Sequence, residues 1–159
     1  MTFGRMVCAA LALTLAACGA GTISDTDAKS RVQAILPTGT PVSVAAVDEG
    51  TTPLKQVLVK MPGDGTILVY LLAATGELDK MVSTQGPFEY EIAPAGALSY
   101  TAARTKAYAQ KDGALEAWKY DHVDGDYEFY IRVGAQLWEV KLAAKDGAVL
   151  DVVQKQAVD

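Results

Sequence analysis

The chain has 159 residues, and its 14 Lys and Arg against 19 Asp and Glu give a formal net charge of −5. An acidic chain of this kind lacks the basic surface that nucleic acid requires, which removes nucleic acid from the expected partners. Both cysteines, Cys8 and Cys18, lie near the N-terminus, so the rest of the chain must be held by packing and not by disulfides.

Arg5 is the only charge in the first five residues, and residues 6–17 are apolar or small, with Thr14 carrying the one hydroxyl. That stretch is shorter than the about 20 helical residues that cross a bilayer, and it suits a secretory signal. It ends in Leu15, Ala16, Ala17 and Cys18. These four resemble the lipobox of bacterial lipoproteins; the alternative is an ordinary signal whose cleavage site abuts a cysteine. The resemblance implies a signal peptide over 1–17, a lipid on Cys18, and a lipidated tether over 18–24 rich in small residues. It also implies that the membrane is a partner through that lipid. Gly19, in place of Asp after the lipidated cysteine, favours the periplasmic face of the outer membrane over the inner membrane by the family's sorting rule. Each buried methylene of such an anchor contributes about 0.8 kcal/mol, and more than one chain is needed for stable attachment.

After the tether, Ser24 or Asp25 can cap a helix whose Ala28, Val32 and Ile35 share one face and which Pro37 and Gly39 terminate. Strands are expected near 42–47, 54–61 and 66–74, then a short one at 78–83, with turns at 48–50, 62–65 and 75–76. A similar order recurs: Ser99 caps a helix over 100–110, followed by strands near 115–120, 126–133, 136–143 and 149–153. Leu72, Ala73, Ala74, Thr75 and Gly76 align with 142–147 with one insertion. The expected fold is therefore α+β, with two αβββ(β) repeats over 25–93 and 94–159, each a helix packed on its own antiparallel sheet. One continuous α+β domain is the alternative.

Gly134 and Ala135 suit a two-residue hairpin turn that pairs Val133 with Gln136. Counting outward puts Ile131 opposite Trp138, Phe129 opposite Val140 and Tyr127 opposite Leu142 on one apolar face. Tyr130 opposite Glu139 and Glu128 opposite Lys141 form a charged reverse face. In the first repeat, a hairpin closed by 62–65 would pair Met61 with Thr66, Val59 with Leu68 and Val57 with Tyr70. That leaves Leu58, Ile67, Val69 and Leu71 on a second apolar face, which either the alternating Phe88, Tyr90 and Ile92 or a partner must cover. These four residues, with the outward Tyr130, are the candidate partner-binding residues.

Residues 114–154 resemble the PepSY domain, a helix-plus-sheet module of exported bacterial proteins and peptidase propeptides. The likeness lies in Asp124, Gly125, Asp126, Tyr127, Glu128, Phe129, Tyr130 and Ile131, then Trp138 through Leu142, then Asp146, Gly147, Ala148, Val149 and Leu150. Ala143 and Ala144 depart from it where an acidic residue often stands. The resemblance implies a non-catalytic protein-binding or peptidase-inhibiting module.

Catalytic motifs do not emerge from the sequence. His122, the only histidine, sits in Asp121, His122, Val123, Asp124, Gly125 and Asp126. That segment fails the calcium-loop pattern, because Tyr120 and Ile131 fall where oxygen ligands are required. An acidic turn explains it, and no metal or cofactor is expected. The reading is a lipid-anchored, non-enzymatic envelope protein that binds another envelope protein or restrains a peptidase. The alternatives are a structural accessory of envelope assembly and a small hydrolase. Cys18→Ser is expected to abolish incorporation of radiolabelled fatty acid while Cys8→Ser leaves it unchanged; label in the Cys18→Ser protein would refute the anchor.

Overall fold

The computed structural model describes residues 21–158, so the signal segment and Cys18 lie outside the described residues. The element order is α1 (Asp25–Ile35), β1 (Thr40–Glu49), β2 (Thr52–Lys60), a 3₁₀ turn (Pro62–Asp64), β3 (Thr66–Leu72), β4 (Leu78–Gln85), α2 (Tyr100–Gln110), β5 (Ala114–Asp121), β6 (Asp126–Val133), β7 (Gln136–Ala143) and β8 (Val149–Lys155). Both helices start where a serine supplies the missing acceptor: the Ser24 hydroxyl receives the Asp27 N–H at 3.1 Å, and Ser99 receives that of Ala102 at 3.3 Å.

The expected pair of helix-on-sheet repeats is corrected by the pairing of the strands. All eight lie side by side in chain order in one antiparallel sheet, so the fold is mainly β. The joint is β4 against β5, where Lys80, Met81, Val82 and Ser83 stand opposite Asp121, Tyr120, Lys119 and Trp118. No hairpin turn links these two strands. Residues 86–99 and α2 run between them over one face of the sheet, and turn chemistry in the sequence is silent about a pairing made at that distance.

Both helices cover the same face. Ala28, Val32 and Leu36 from the α1 region and Tyr100, Ala103 and Ala107 from α2 join a single core with Val57, Val59, Ile67, Val69, Trp118, Phe129 and Val140. Tyr90 and Ile92 enter that core from the connecting segment, which is the internal cover weighed above. At its centre the Trp118 indole N–H donates to the Tyr90 hydroxyl at 2.7 Å, and the Tyr100 ring stacks on Tyr90 with centroids 5.3 Å apart. Such aromatic contacts add about 0.5–1.5 kcal/mol each beyond the area they bury.

The β6–β7 register agrees with the one read from the Gly134 turn at every pair from Val133 and Gln136 to Tyr127 and Leu142. The β2–β3 register does not. Its first pair is Lys60 with Thr66, followed by Val59 with Ile67 and Val57 with Val69. Met61 leaves the strand, its N–H donating to Gly65 O at 2.8 Å, so the loop holds one residue more than counted. A slip of one residue moves a whole strand's side chains to the other face. Gly65 is required there by close approach, since a Cβ would lie 2.3 Å from the Pro87 carbonyl oxygen.

Trp118 is fully buried, whereas Trp138 is only partly covered, with the Lys111 ammonium 3.3 Å from its ring centroid. Trp118→Ala is therefore expected to lower the unfolding free energy by about 3–5 kcal/mol, with a smaller loss for Trp138→Ala. Chemical denaturation of the two variants checks this, and equal losses would contradict the burial.

Candidate functional site

The sequence-derived candidates divide between the two faces of the sheet. Ile67, Val69 and Leu71 are fully buried under the helices and offer nothing to a partner. Leu58 lies on the reverse face, between the core residues Val57 and Val59, and is half-buried. Tyr130 also lies on the reverse face, but it is 2% exposed and packs with Ala117, Leu137 and the C-terminal Val158. The expectation that Tyr130 points freely outward is thus corrected: the tail after β8 folds over it. Cys18, the lipidation candidate, lies outside the described residues.

What the register brings together is a continuous row across the reverse face. On the first four strands it runs Ser43, Leu58, Leu68 and Val82. It continues through β4 and β5 into Lys119, Glu128, Lys141 and Asp151. Beyond the exposed Ser43, one half is aliphatic and half-buried, and the other alternates in charge. Sequence reasoning missed Leu68 and Val82 because the one-residue loop error assigned Leu68 to the core and because the β4–β5 joint was not visible.

The charged half is closely interlocked. Lys141 Nζ lies 2.8 Å from Asp126 Oδ2 and 3.1 Å from Glu128 Oε1, and Lys119 Nζ lies 3.3 Å from Asp121 Oδ2 and 3.6 Å from Glu128 Oε1. Lys155 bridges Glu139 at 3.1 Å. Glu128 and Glu139, on the face read from sequence as charged, are each only 8% exposed, because neighbouring strands press these side chains together. The Asp126 bond holds the Lys141 ammonium above lysine's usual range, against the cost of its burial. For Lys119, burial opposes the charge, but Glu128 and Asp121 outweigh it and the value again rises.

The aliphatic half has its own polar fastenings. Gln56 donates to the Tyr70 hydroxyl at 2.7 Å, the Lys80 ammonium sits 5.1 Å from the Tyr70 ring centroid, and Lys80 pairs with Glu49. The hydrogen-bonding groups of this surface are tied to one another, which suits contact with another protein better than chemistry on a small substrate.

On the helix-covered side, Ala34, Ile35, Leu78, Ala93, Pro94, Ala95 and His122 line an open hollow of about 280 Å³. A neighbouring hollow of about 390 Å³ shares Ala34, Ile35 and Ala93. His122 is held by the Tyr120 hydroxyl, 3.1 Å from Nδ1. The segment around it forms a turn: Asp121 Oδ1 accepts the N–H groups of Val123 and Asp124 at 3.1 and 3.0 Å. Among the described residues, no three metal-ligating side chains converge.

Asp126 is the odd group of the charged cluster. It is buried, its Oδ2 meets Lys141, and its Oδ1 has no hydrogen-bond partner among the described residues. Burial pushes its carboxyl above the ordinary value, with Lys141 opposing. A carboxyl raised on folding takes up a proton more readily in the native state, so its charge opposes folding once the pH exceeds both titrations. Relative to Asp126→Asn, the wild-type protein is expected to lose stability as pH rises through the window between the unfolded and folded values, and to show a constant difference above it. Denaturation across the acid range checks the sign, and a gain with rising pH would mean that the Lys141 bond dominates.

No family model matches the chain, and no curated protein matches it. Among solved structures, a putative lipoprotein from Clostridium difficile 630 is 16% identical, with 82% of this chain and 91% of that chain covered at a TM-score of 0.40. A likeness at that level does not establish a common fold, and the chain is assigned to no family.

Proposed function

We propose that this chain is a lipid-anchored, non-enzymatic envelope protein that binds another envelope protein through the reverse face of its sheet. The anchor rests on Leu15, Ala16, Ala17 and Cys18 behind an apolar segment. The binding reading rests on one observation: Leu58, Leu68, Tyr70 and Val82 are half-buried with no helix or strand among the described residues packed across them, beside a field of paired charges. A contiguous aliphatic strip bordered by ionic groups has the anatomy of a protein contact, with an apolar centre that gains by leaving water and a polar rim that fixes orientation. The matching partner presents an aliphatic ridge flanked by side chains of both signs. Leu58, taken from sequence as a binding candidate, keeps that role, and Leu68, Tyr70 and Val82 replace Ile67, Val69 and Leu71.

The test separates folding from binding. A Leu58→Glu, Leu68→Glu double variant is expected to fold and to lose partner recovery from detergent-solubilised envelopes, whereas Ile67→Asp is expected to unfold the chain. A folded double variant that recovers the same partner as the wild type would overturn the proposal.

A further inference from the structure

The two edges of the sheet differ in how they are protected. Strand β8 is short, carries Asp151 and Lys155, and has a register break between Lys141 and Leu142 on its neighbour. Strand β1 is ten residues long, and its only interruption is at one end, at Pro41 and the bulge before Ser43. Residues 43–47 between that bulge and Asp48 are uncharged, with two alanines and a serine that leave the backbone accessible. An edge strand exposes a row of unpaired N–H and C=O groups, and folded proteins normally blunt long edges with charges, prolines or bulges. Here the middle of the edge has none of these.

Charge placement selects what would pair with it. Val44 faces the core, so Asp48, four residues on, lies on the same helix-covered side of the sheet. Asp48 makes no ion pair among the described residues. At the other end of the strand, on the same side, the Lys29 ammonium of α1 reaches over to the Val42 carbonyl at 3.0 Å and meets no carboxylate among the described residues. When two copies of β1 run antiparallel about Ala45, residue 42 of one stands opposite residue 48 of the other. Each Asp48 is then set beside the Lys29 of its partner, twice by symmetry. A parallel arrangement of the same two edges turns one copy over, which puts the Asp48 of one copy and the Lys29 of the other on opposite faces of the sheet.

We propose that β1 is a homodimerisation edge, with a second copy of this chain as its occupant, joined antiparallel about Ala45 and secured by Asp48 and Lys29. The sheet then continues through the dyad with all four helices on one side, and the reverse faces of both copies remain available. The edge is separate from the sheet face proposed for the envelope partner.

Disulfide trapping of the full chain in intact cells tests this. Opposed residues of an antiparallel pair have Cα atoms about 4.5–5.5 Å apart, within disulfide reach. Ala45→Cys is expected to give a species of twice the chain mass on a non-reducing gel, and Leu150→Cys on the β8 edge is not. In the Ala45→Cys background, Asp48→Lys is expected to lower the dimer yield about five-fold, as two exposed ion pairs turned repulsive would do, and adding Lys29→Asp is expected to restore it. Absence of the Ala45→Cys dimer, trapping to a different protein, equal trapping from Leu150→Cys, or an Asp48→Lys yield that is unchanged or not restored would each overturn the proposal.

Discussion

Four residue pairs between β4 and β5 make one sheet out of two four-stranded runs, and the rest of the molecule is arranged around keeping them together. The joint is shorter than any other in the sheet, so its backbone bonds alone are a modest contribution. Its strength comes from what lies on it. Trp118 on β5 sits under Tyr90 and Tyr100, with ring centroids 6.2 and 4.9 Å away. The connecting segment that carries Tyr90 is itself fixed to α2, because Arg104 grips the Glu89 carboxylate with two bonds of 3.0 Å and the Phe88 carbonyl at 2.9 Å. Tyr100 donates to the same carbonyl. The segment joining the two strand runs is therefore also the clamp that holds them in contact.

The parts of the fold written in local chemistry were legible from the sequence. Ser24 and Ser99 cap their helices, and the Gly134 turn sets the β6–β7 register, because each signal acts across a few residues. The parts that depend on distant chain segments were not. Nothing near Lys80 or Asp121 announces that they will be neighbours, and the separation into two sheets was the natural reading without that pair. The β2–β3 error is instructive because it came from a single residue. Met61 is apolar and belongs by character to the strand, yet it closes the loop, and β3 turns over as a result. The apolar surface inferred from sequence was real in kind, but Leu68 and Tyr70 carry it where Ile67, Val69 and Leu71 had been assigned. Tyr130 was placed on the correct face and misjudged in exposure, since the covering Val158 lies beyond the last strand.

The two faces of the sheet are stabilised by different physics. The helix side is a continuous apolar core. The reverse side, over the second half, excludes water with side chains that carry charge, and it remains tolerable because each lysine serves two carboxylates or is held close to one. Such a cluster contributes little net stability for the ions it buries, since desolvation offsets much of the attraction. It does make the surface stiff, as each side chain is tethered to a neighbouring strand. A stiff surface loses little conformational freedom when a partner docks on it.

The Ile23 N–H donates to the Ala73 carbonyl at 2.8 Å, immediately before Ser24 opens α1. The chain therefore enters the fold at the end of the sheet that bears the turns after β1, β3, β5 and β7. An acyl group on Cys18 would be five residues from that point, a leash of at most about 18 Å at full stretch. With Cys18 acylated as proposed, so short a leash would keep that end of the sheet close to the bilayer. Glu49, Asp121, Asp124 and Asp146 lie at that end, and an anionic leaflet would repel them. Molecules anchored in this way would be confined to one plane. Encounters then become a two-dimensional search, in which the surface density of the protein, and not its bulk concentration, governs how often they meet.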